Sequence, residues 1–152
     1  MGRLRRGLRY GQAAAHVVIA VAKIGLFWHR WPAGHRRYEV QAWSLKALGI
    51  FGFTTEFSGR KATSGVRGVL IVANHVSWLD IYALLAHTDA HFVAKSEVRR
   101  WPAIGWIAGR LGTVFVERDR RGALPQCIEI VAEVLSGGGN VVVFPEGTTC
   151  DG

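Results

Sequence analysis

Residues 69–80 read VLIVANHVSWLD, in which an apolar run is followed by a short polar segment and then by an apolar helix-like pattern. Val69–Ala73 has no charged side chain, which is typical of a parallel strand that is apolar on both faces. Ser77 can cap a helix over Trp78–Ala86. This strand–loop–helix order predicts an α/β unit. Its loop is a candidate functional segment, because α/β sheets present ligands at the carboxyl ends of their strands.

The same alternation continues along the chain. Further strands are predicted at His91–Ala94, Gly112–Glu117 and Val141–Phe144. A loop with a short helix falls between the first two, at Arg99–Arg110. An amphipathic helix, Leu124–Leu135, precedes the last strand, and its apolar side is predicted to hold Leu124, Ile128, Val131 and Leu135. Strands that alternate with helices predict an α/β fold with a largely parallel sheet flanked by helices.

The pattern of apolar residues and the distribution of charge divide the chain into two parts. Residues 1–60 are predicted to form a basic, apolar helical segment, and residues 65–152 an α/β domain. The chain ends at Asp151-Gly152, directly after the fourth predicted strand. Since a parallel sheet rarely ends where a functional loop begins, we expect the domain to be incomplete, with further strands beyond Gly152.

The positive charge is concentrated near the amino terminus. Residues 1–67 hold 12 of the 19 Lys and Arg but only two of the 11 acidic residues, so this part carries +10 against +8 for the whole chain. Such a surplus favours an anionic partner, either a membrane surface or a nucleic acid. No recognition helix, zinc finger or ribonucleoprotein signature is present, which argues against nucleic acid. The sequence also offers no metal-ligand pattern, and its two cysteines are interpreted as reduced thiols of a cytosol-facing protein.

The amino-terminal segment has the character of a membrane anchor. Its apolar run, Ala13–Trp28, is shorter than the roughly 20 residues of a spanning helix. Trp28 and Trp31 resemble an interfacial belt, and basic residues on both flanks give no preferred direction of crossing. We therefore expect this segment to lie in the interface or re-enter it. A second apolar stretch, Val40–Phe57, is expected to pair with the first as a helical hairpin.

Two alternatives to an anchor stay open for the first apolar run. Ala20-Val21-Ala22 follows a basic start and resembles the small-residue cleavage site of a signal peptide. His16 and Lys23 interrupt the run, however, and apolar residues continue beyond the cleavage site. The other alternative is an ordinary core helix.

His75 and Asp80 form the candidate catalytic pair. His75 follows the first strand, and Asp80 falls in the first turn of the next helix, from which a carboxylate can reach back to one imidazole nitrogen. The other nitrogen would then accept a proton, and no serine nucleophile elbow accompanies the pair. This arrangement suits deprotonation of a substrate hydroxyl rather than activation of a protein nucleophile. The alternative is a helix-capping aspartate beside a surface histidine.

Four segments together resemble the glycerolipid acyltransferases, the lysophosphatidic acid acyltransferase family. They are NHVSWLD, AKSE, GTVFVER and FPEGTT, and the resemblance covers residues 69–152. Three blocks match the family residue by residue: Asn74, His75, Ser77 and Asp80; then Gly112, Phe115 and Arg118; then Phe144 through Thr148. The family's later proline-containing block is not in the chain, and the closing TTCDG is similar to members that act on lyso-ornithine lipid or on lysophospholipids.

The resemblance implies transfer of a fatty acyl group from acyl-CoA or acyl carrier protein to a lysophospholipid hydroxyl, with no cofactor beyond the thioester co-substrate and no metal. It implies that His75 is the general base and that Asp80 orients it. It also implies that Arg118 binds the acceptor phosphate. The alternative for Arg118 is a solvated surface charge. The other implied substrate-binding residues are Glu146 at the acceptor's second hydroxyl, the backbone amides of Gly147 and Thr148 as anion donors, Phe115, and Lys95 at a phosphate or the thioester.

The expected acceptor is 1-acylglycerol-3-phosphate, which would give phosphatidic acid. A lyso-ornithine lipid or other lysolipid O-acyltransferase is the alternative enzyme, and a catalytically silent membrane-binding fragment is the alternative outside enzymes. The expected location is the cytoplasmic face of the inner membrane, peripheral or monotopic. There the positive charge would also steer the acidic acyl carrier protein. The loop Arg99–Pro102 with Trp106 fits an edge dipping into anionic lipid, although Trp106 is as readily interpreted as core.

Overall fold

The computed structural model describes residues 2–59, 67–117 and 122–146. These residues form two compact units. The first contains the described residues up to Gly59 together with Leu79–His87. The second contains residues 67–78 and the described residues from Thr88 onward. The segment after His75 therefore leaves the second unit, contributes one helix to the first, and returns.

The first unit is helical, with α1 at Gly2–Phe27, α2 at Ala33–Phe51 and α3 at Leu79–His87. Helices α1 and α2 form the antiparallel hairpin that the sequence predicts. Lys23 pairs with Glu39 at 2.7 Å near the turn. Further from the turn, the His16 ring stacks on Trp43 with centroids 5.2 Å apart, and its Nε2 donates to the Trp43 carbonyl at 2.9 Å. Burial, partly offset by that hydrogen bond, lowers the pKa of His16 below its usual value.

Helix α1 is longer than the apolar run that predicts it. It begins at Gly2, so residues Arg6–Phe27 form a 22-residue stretch that by length and composition could cross a membrane. Core helices of soluble proteins and signal sequences meet the same criterion. The helix buries His16, Ala20 and Ile24, which recur every fourth residue. Its other faces expose apolar side chains, among them Leu8, Val18, Ile19 and Leu26.

Helix α3 packs against α2 in this unit. The Tyr82 ring lies 5.1 Å from the Trp43 ring, and burial raises the pKa of the Tyr82 hydroxyl. At the end of α3, His87 Nε2 lies 2.9 Å from the Thr55 hydroxyl oxygen, and the Phe57 ring packs on the same imidazole at 5.7 Å. The segment that follows α2 is therefore held against α3.

The second unit is built on four parallel strands: β1 at Leu70–Val72, β2 at Ala90–Lys95, β3 at Val114–Val116 and β4 at Asn140–Val143. Their order is β1-β4-β2-β3, and every neighbouring pair is parallel. A short 3₁₀ helix, Ser96–Arg100, leads to α4 at Ile104–Arg110, and α5 spans Ala123–Ser136 against β3 and β4. The predicted fold class, a parallel sheet flanked by helices, is confirmed.

The last described strand occupies the interior of the sheet. Val141 and Val142 of β4 are 0% exposed, because strands flank them on both sides. The buried Asn140 begins this strand. Its Oδ1 accepts from the Val69 amide at 3.0 Å, and its Nδ2 donates to the Asp89 carbonyl at 3.3 Å. The Asn140 side chain thus aligns the amino ends of three strands. Their carboxyl ends therefore lie together at the opposite end of the strands.

Burial differs from the apolar pattern of the sequence at β1 and at part of α5. Strand β1 is apolar on both faces, but it lies at the edge of the described sheet, and Val72 is 61% exposed. On α5, Leu124 is 70% exposed and Ile128 59% exposed. The more buried side of α5 instead carries Cys127, Ile130, Val131 and Val134. Leu135 also lies on this side, so the predicted helical periodicity is right, and the predicted buried face is right at Val131 and Leu135 but wrong at Leu124 and Ile128.

Candidate active site

The parallel sheet gathers the carboxyl ends of its strands at one edge. His75 comes three residues after β1, and Glu146 comes three residues after β4, its direct neighbour in the sheet. Lys95 is the last residue of β2, and Phe115 is the middle residue of β3. Arg118, Gly147 and Thr148 lie outside the described residues, so their roles stay predictions. The fold therefore brings two of the sequence blocks, those of His75 and Glu146, to adjacent strand ends.

The His75 ring packs on a phenylalanine of another block. Its centroid lies 4.1 Å from that of Phe144, and the two rings are 19° from parallel. The Phe92 ring of β2 supports Phe144 from 6.2 Å. The backbone continues the contact, since the Ala73 amide donates to the Val143 carbonyl at 3.2 Å. Stacking fixes the plane of the imidazole and leaves hydrogen bonding to its edge, which suits a base that exchanges a proton along a set direction.

We expect Phe144→Leu to reduce kcat about tenfold or more, because a branched aliphatic side chain cannot hold the imidazole plane and misplacement of a catalytic group is costly. The acceptor KM should change little. Phe144→Tyr retains the ring and serves as the matched control. Steady-state rates of acylation for the three proteins give the comparison. Equal kcat for Phe144→Leu and the unaltered protein would show that the stack does not position His75.

Asp80 lies in the first turn of α3, as the sequence predicts. Because α3 belongs to the first compact unit and His75 to the second, the pairing of these two side chains stays a prediction. What the structure establishes for Asp80 is its setting at a helix start. A negative charge is favourable at this end of a helix because the peptide dipoles point their positive ends toward it.

Lys95 has an acidic neighbour. Its Nζ lies 3.3 Å from Glu97 Oε1. The backbone amide of Glu97 donates a hydrogen bond to the Glu97 carboxylate and lowers the pKa of this group, and the positive charges of Lys95 and Arg100 lower it further. The carboxylate is therefore ionised at neutral pH. A substrate phosphate at Lys95 would have to compete with this ion pair. The contact of Lys95 with a phosphate or the thioester stays a prediction.

The glycine before β3 is explained by the backbone. Gly112 has φ +76°, in the region that favours glycine, and a Cβ there would overlap the ring of His91. That ring is held in place, because His91 Nδ1 donates to the Gly112 carbonyl at 3.1 Å. Gly112 therefore allows the backbone turn that leads into β3. Phe115, in the same block, instead offers a side chain that can contact other groups.

Phe115 lines a groove of about 1000 Å³ on the second unit. The groove runs between α4 and α5 beside β3, and the Arg99 guanidinium carbon lies 5.8 Å from the centroid of the Phe115 ring. The contacts of Phe144 with His75 and of Arg99 with Phe115 were not anticipated, because both join segments that are separated in sequence. Among the described residues, no group of three or more His, Cys, Asp or Glu could hold a metal ion.

Comparison with known proteins identifies the family. A family model described as Acyltransferase matches residues 54–152, which include all four strands and every candidate site residue. The chain belongs to the acyltransferase family. This acyltransferase match begins a little before the α/β domain predicted at residue 65.

Individual relatives carry two different names. Over 94 residues, 62% of the chain is 44% identical to a 1-acyl-sn-glycerol-3-phosphate acyltransferase of Neisseria gonorrhoeae. Over 117 residues, 77% of the chain is 38% identical to a lyso-ornithine lipid O-acyltransferase of Rhizobium meliloti. These matches cover 37% and 39% of the two relatives, so the chain spans well under half of their length.

A solved structure has the same fold. The crystal structure of the 1-acyl-sn-glycerophosphate acyltransferase PlsC from Thermotoga maritima superimposes with a TM-score of 0.65 at 24% identity. The match covers 95% of this chain and 64% of that one. It includes both the helical and the α/β parts, so this acyltransferase shares the fold of that structure.

Proposed function

We propose that this acyltransferase moves a fatty acyl group from a thioester to the free hydroxyl of a lysolipid. One observation carries the proposal: the imidazole of His75 is held on the ring of Phe144 at the carboxyl edge of the sheet, where Glu146 also emerges. A positioned imidazole can deprotonate a hydroxyl, and a carboxylate that follows the adjacent strand can help to orient the molecule that carries this hydroxyl.

The chemistry follows from those groups. His75 removes the proton of the acceptor hydroxyl as its oxygen attacks the thioester carbonyl, forming a tetrahedral intermediate. The C–S bond then breaks, the ester forms, and the thiolate leaves with the proton from the imidazolium. Asp80 is proposed to orient His75, and Glu146 to accept a hydrogen bond from the acceptor. The donor thioester is acyl-CoA or acyl carrier protein.

The proposed acceptor is 1-acylglycerol-3-phosphate, and the product is phosphatidic acid. The relative with this activity in its name is 44% identical, and Arg118 supplies the planar guanidinium that binds phosphate through two parallel hydrogen bonds. Lyso-ornithine lipid is the second candidate, because relatives of that name are 38% to 46% identical over comparable lengths.

Arg118→Lys separates the two acceptors. The lysine keeps the charge but loses the two-pronged geometry, so the KM for lysophosphatidic acid should rise by a factor equivalent to about 1–3 kcal/mol. The thioester KM should hardly move. With lyso-ornithine lipid, which has no phosphate, the variant should behave like the unaltered protein. Initial rates with both acceptors make the test. An equal loss with both would show that Arg118 is structural.

The proposed location is the cytoplasmic face of the inner membrane, with the α1–α2 hairpin lying in the interface. The exposed apolar side chains of α1 and the surplus of basic residues in this part support it. A lysolipid acceptor partitions into the bilayer, so a site held at the membrane surface meets its substrate in two dimensions.

Val18→Asp should reduce partitioning into anionic vesicles at least about tenfold, because an exposed apolar side chain of α1 is replaced by a charge that resists burial in lipid. Salt should weaken binding of the unaltered protein only in part, since apolar burial is screened little. Gln126→Asp adds the same charge to an exposed site on α5 and is the control. Cosedimentation with vesicles measures both. Equal partitioning of the two variants would place the contact elsewhere.

A further inference from the structure

The 3₁₀ helix and α4 present arginines and tryptophans together. Arg99, Arg100, Trp101, Trp106 and Arg110, here called the arginine–tryptophan surface, are all exposed, and Trp101 is 58% exposed. Residues 98–116 contain no Asp or Glu. The nearest preceding acid, Glu97, is paired with Lys95. The surface is thus locally cationic and aromatic at once.

Backbone packing holds this surface in shape. The Trp101 amide donates to the Val98 carbonyl at 3.1 Å, and the Trp101 carbonyl accepts from the Gly105 amide at 2.9 Å. Gly105 is buried, and a Cβ at this position would overlap the Arg99 carbonyl, so glycine permits this close approach. The Trp101 backbone is therefore held between two helical turns, so little backbone entropy would be lost when this residue contacts a partner.

The cations are arranged over aromatic rings. The Arg110 guanidinium carbon lies 5.3 Å from the Trp106 ring centroid, and Arg99 sits similarly over Phe115 in the groove already described. None of the described residues that line this groove is acidic. A guanidinium stacked by its face binds phosphate through N–H groups in its plane, so stacking and phosphate binding are compatible.

We propose that the arginine–tryptophan surface is a second membrane contact of this protein, distinct from the α1–α2 hairpin, which binds the phosphates of anionic lipids and places Trp101 at headgroup depth. The headgroup region accommodates both an indole and a guanidinium, because each has an apolar body and a polar part. An acidic protein would satisfy the arginines but gives no reason for two exposed indoles beside them. The inference does not depend on the chemistry proposed for His75.

Fluorine NMR of the whole protein labelled with 5-fluorotryptophan tests the proposal. Trp101→Phe and Trp106→Phe assign the two resonances. The protein is placed in phosphatidylcholine nanodiscs with or without phosphatidylglycerol, each containing a spin-labelled lipid. The Trp101 and Trp106 resonances should broaden strongly in the phosphatidylglycerol nanodiscs and much less in pure phosphatidylcholine. Arg100→Gln should reduce the added broadening about fivefold, the change expected for one basic residue at an anionic surface.

Arg67→Gln is the matched control, since it removes the same charge from an exposed residue of the same unit just before β1. It should leave the Trp101 resonance unchanged. An unchanged fluorine signal for Trp43 shows that each variant is folded. Trp101 signals that stay sharp in phosphatidylglycerol nanodiscs would overturn the proposal, whether or not Trp28 of the hairpin region broadens. A response to acyl carrier protein without a response to lipid would overturn it in favour of a protein-docking surface.

Discussion

His75→Ala is expected to reduce thioester-dependent acylation by about 10²–10⁴-fold, the usual contribution of a general base. The loss should appear in kcat, because the hydroxyl of a bound acceptor would have no group to take its proton during attack. Release of free thiol in the presence of acceptor measures the rate. The circular dichroism spectrum should be unchanged, since the half-buried His75 lies in a loop beyond β1.

A second substitution at the same position separates chemistry from packing. His75→Phe keeps an aromatic ring against Phe144, 4.1 Å away in the present structure, but it has no nitrogen to accept a proton. It should therefore be as inactive as His75→Ala while retaining the stability of the unaltered protein. Near-normal turnover of His75→Phe would end the assignment of His75 as the base.

Asp80→Asn is expected to lower kcat about a hundredfold or more. A carboxylate stabilises the imidazolium and selects one imidazole tautomer, and a neutral amide does neither in the same way. The KM of the acceptor should change little if Asp80 acts through His75. Asp80→Glu keeps the charge at a different reach and should recover part of the lost kcat.

Asp89→Asn is the matched control for Asp80, because Asp89 is an exposed aspartate just before β2 and undergoes the same change. Its kcat should remain close to that of the unaltered protein. Thermal unfolding of all three variants completes the comparison. If Asp80→Asn destabilises the protein but retains kcat, Asp80 is a helix-capping residue, which was the alternative open from the sequence.

Local features of the sequence determined the elements of this protein and the residues worth testing. Uncharged, β-branched runs specify strands over short distances, as in Val141–Val143, and the glycines at 137–139 follow the end of α5. His75 and Asp80 could be located because α/β folds place functional groups directly after strands. The block Phe144–Thr148 was located by its resemblance to the glycerolipid acyltransferases. These features depend on neighbours in sequence, so no tertiary information was needed to find them.

Tertiary packing decided which faces are buried and which blocks meet. Strand β4 enters between β1 and β2, and this choice of hydrogen-bond partners leaves no trace in local periodicity. It also brings Phe144 onto His75. The exposure of Val72 and Leu124 likewise depends on what packs against each face. An apolar stripe shows that a face is suited to burial, but it does not show that another element covers that face. His16 is the opposite case. It interrupts an apolar run in the sequence, yet its side chain is buried, because α2 supplies the Trp43 carbonyl as a hydrogen-bond acceptor.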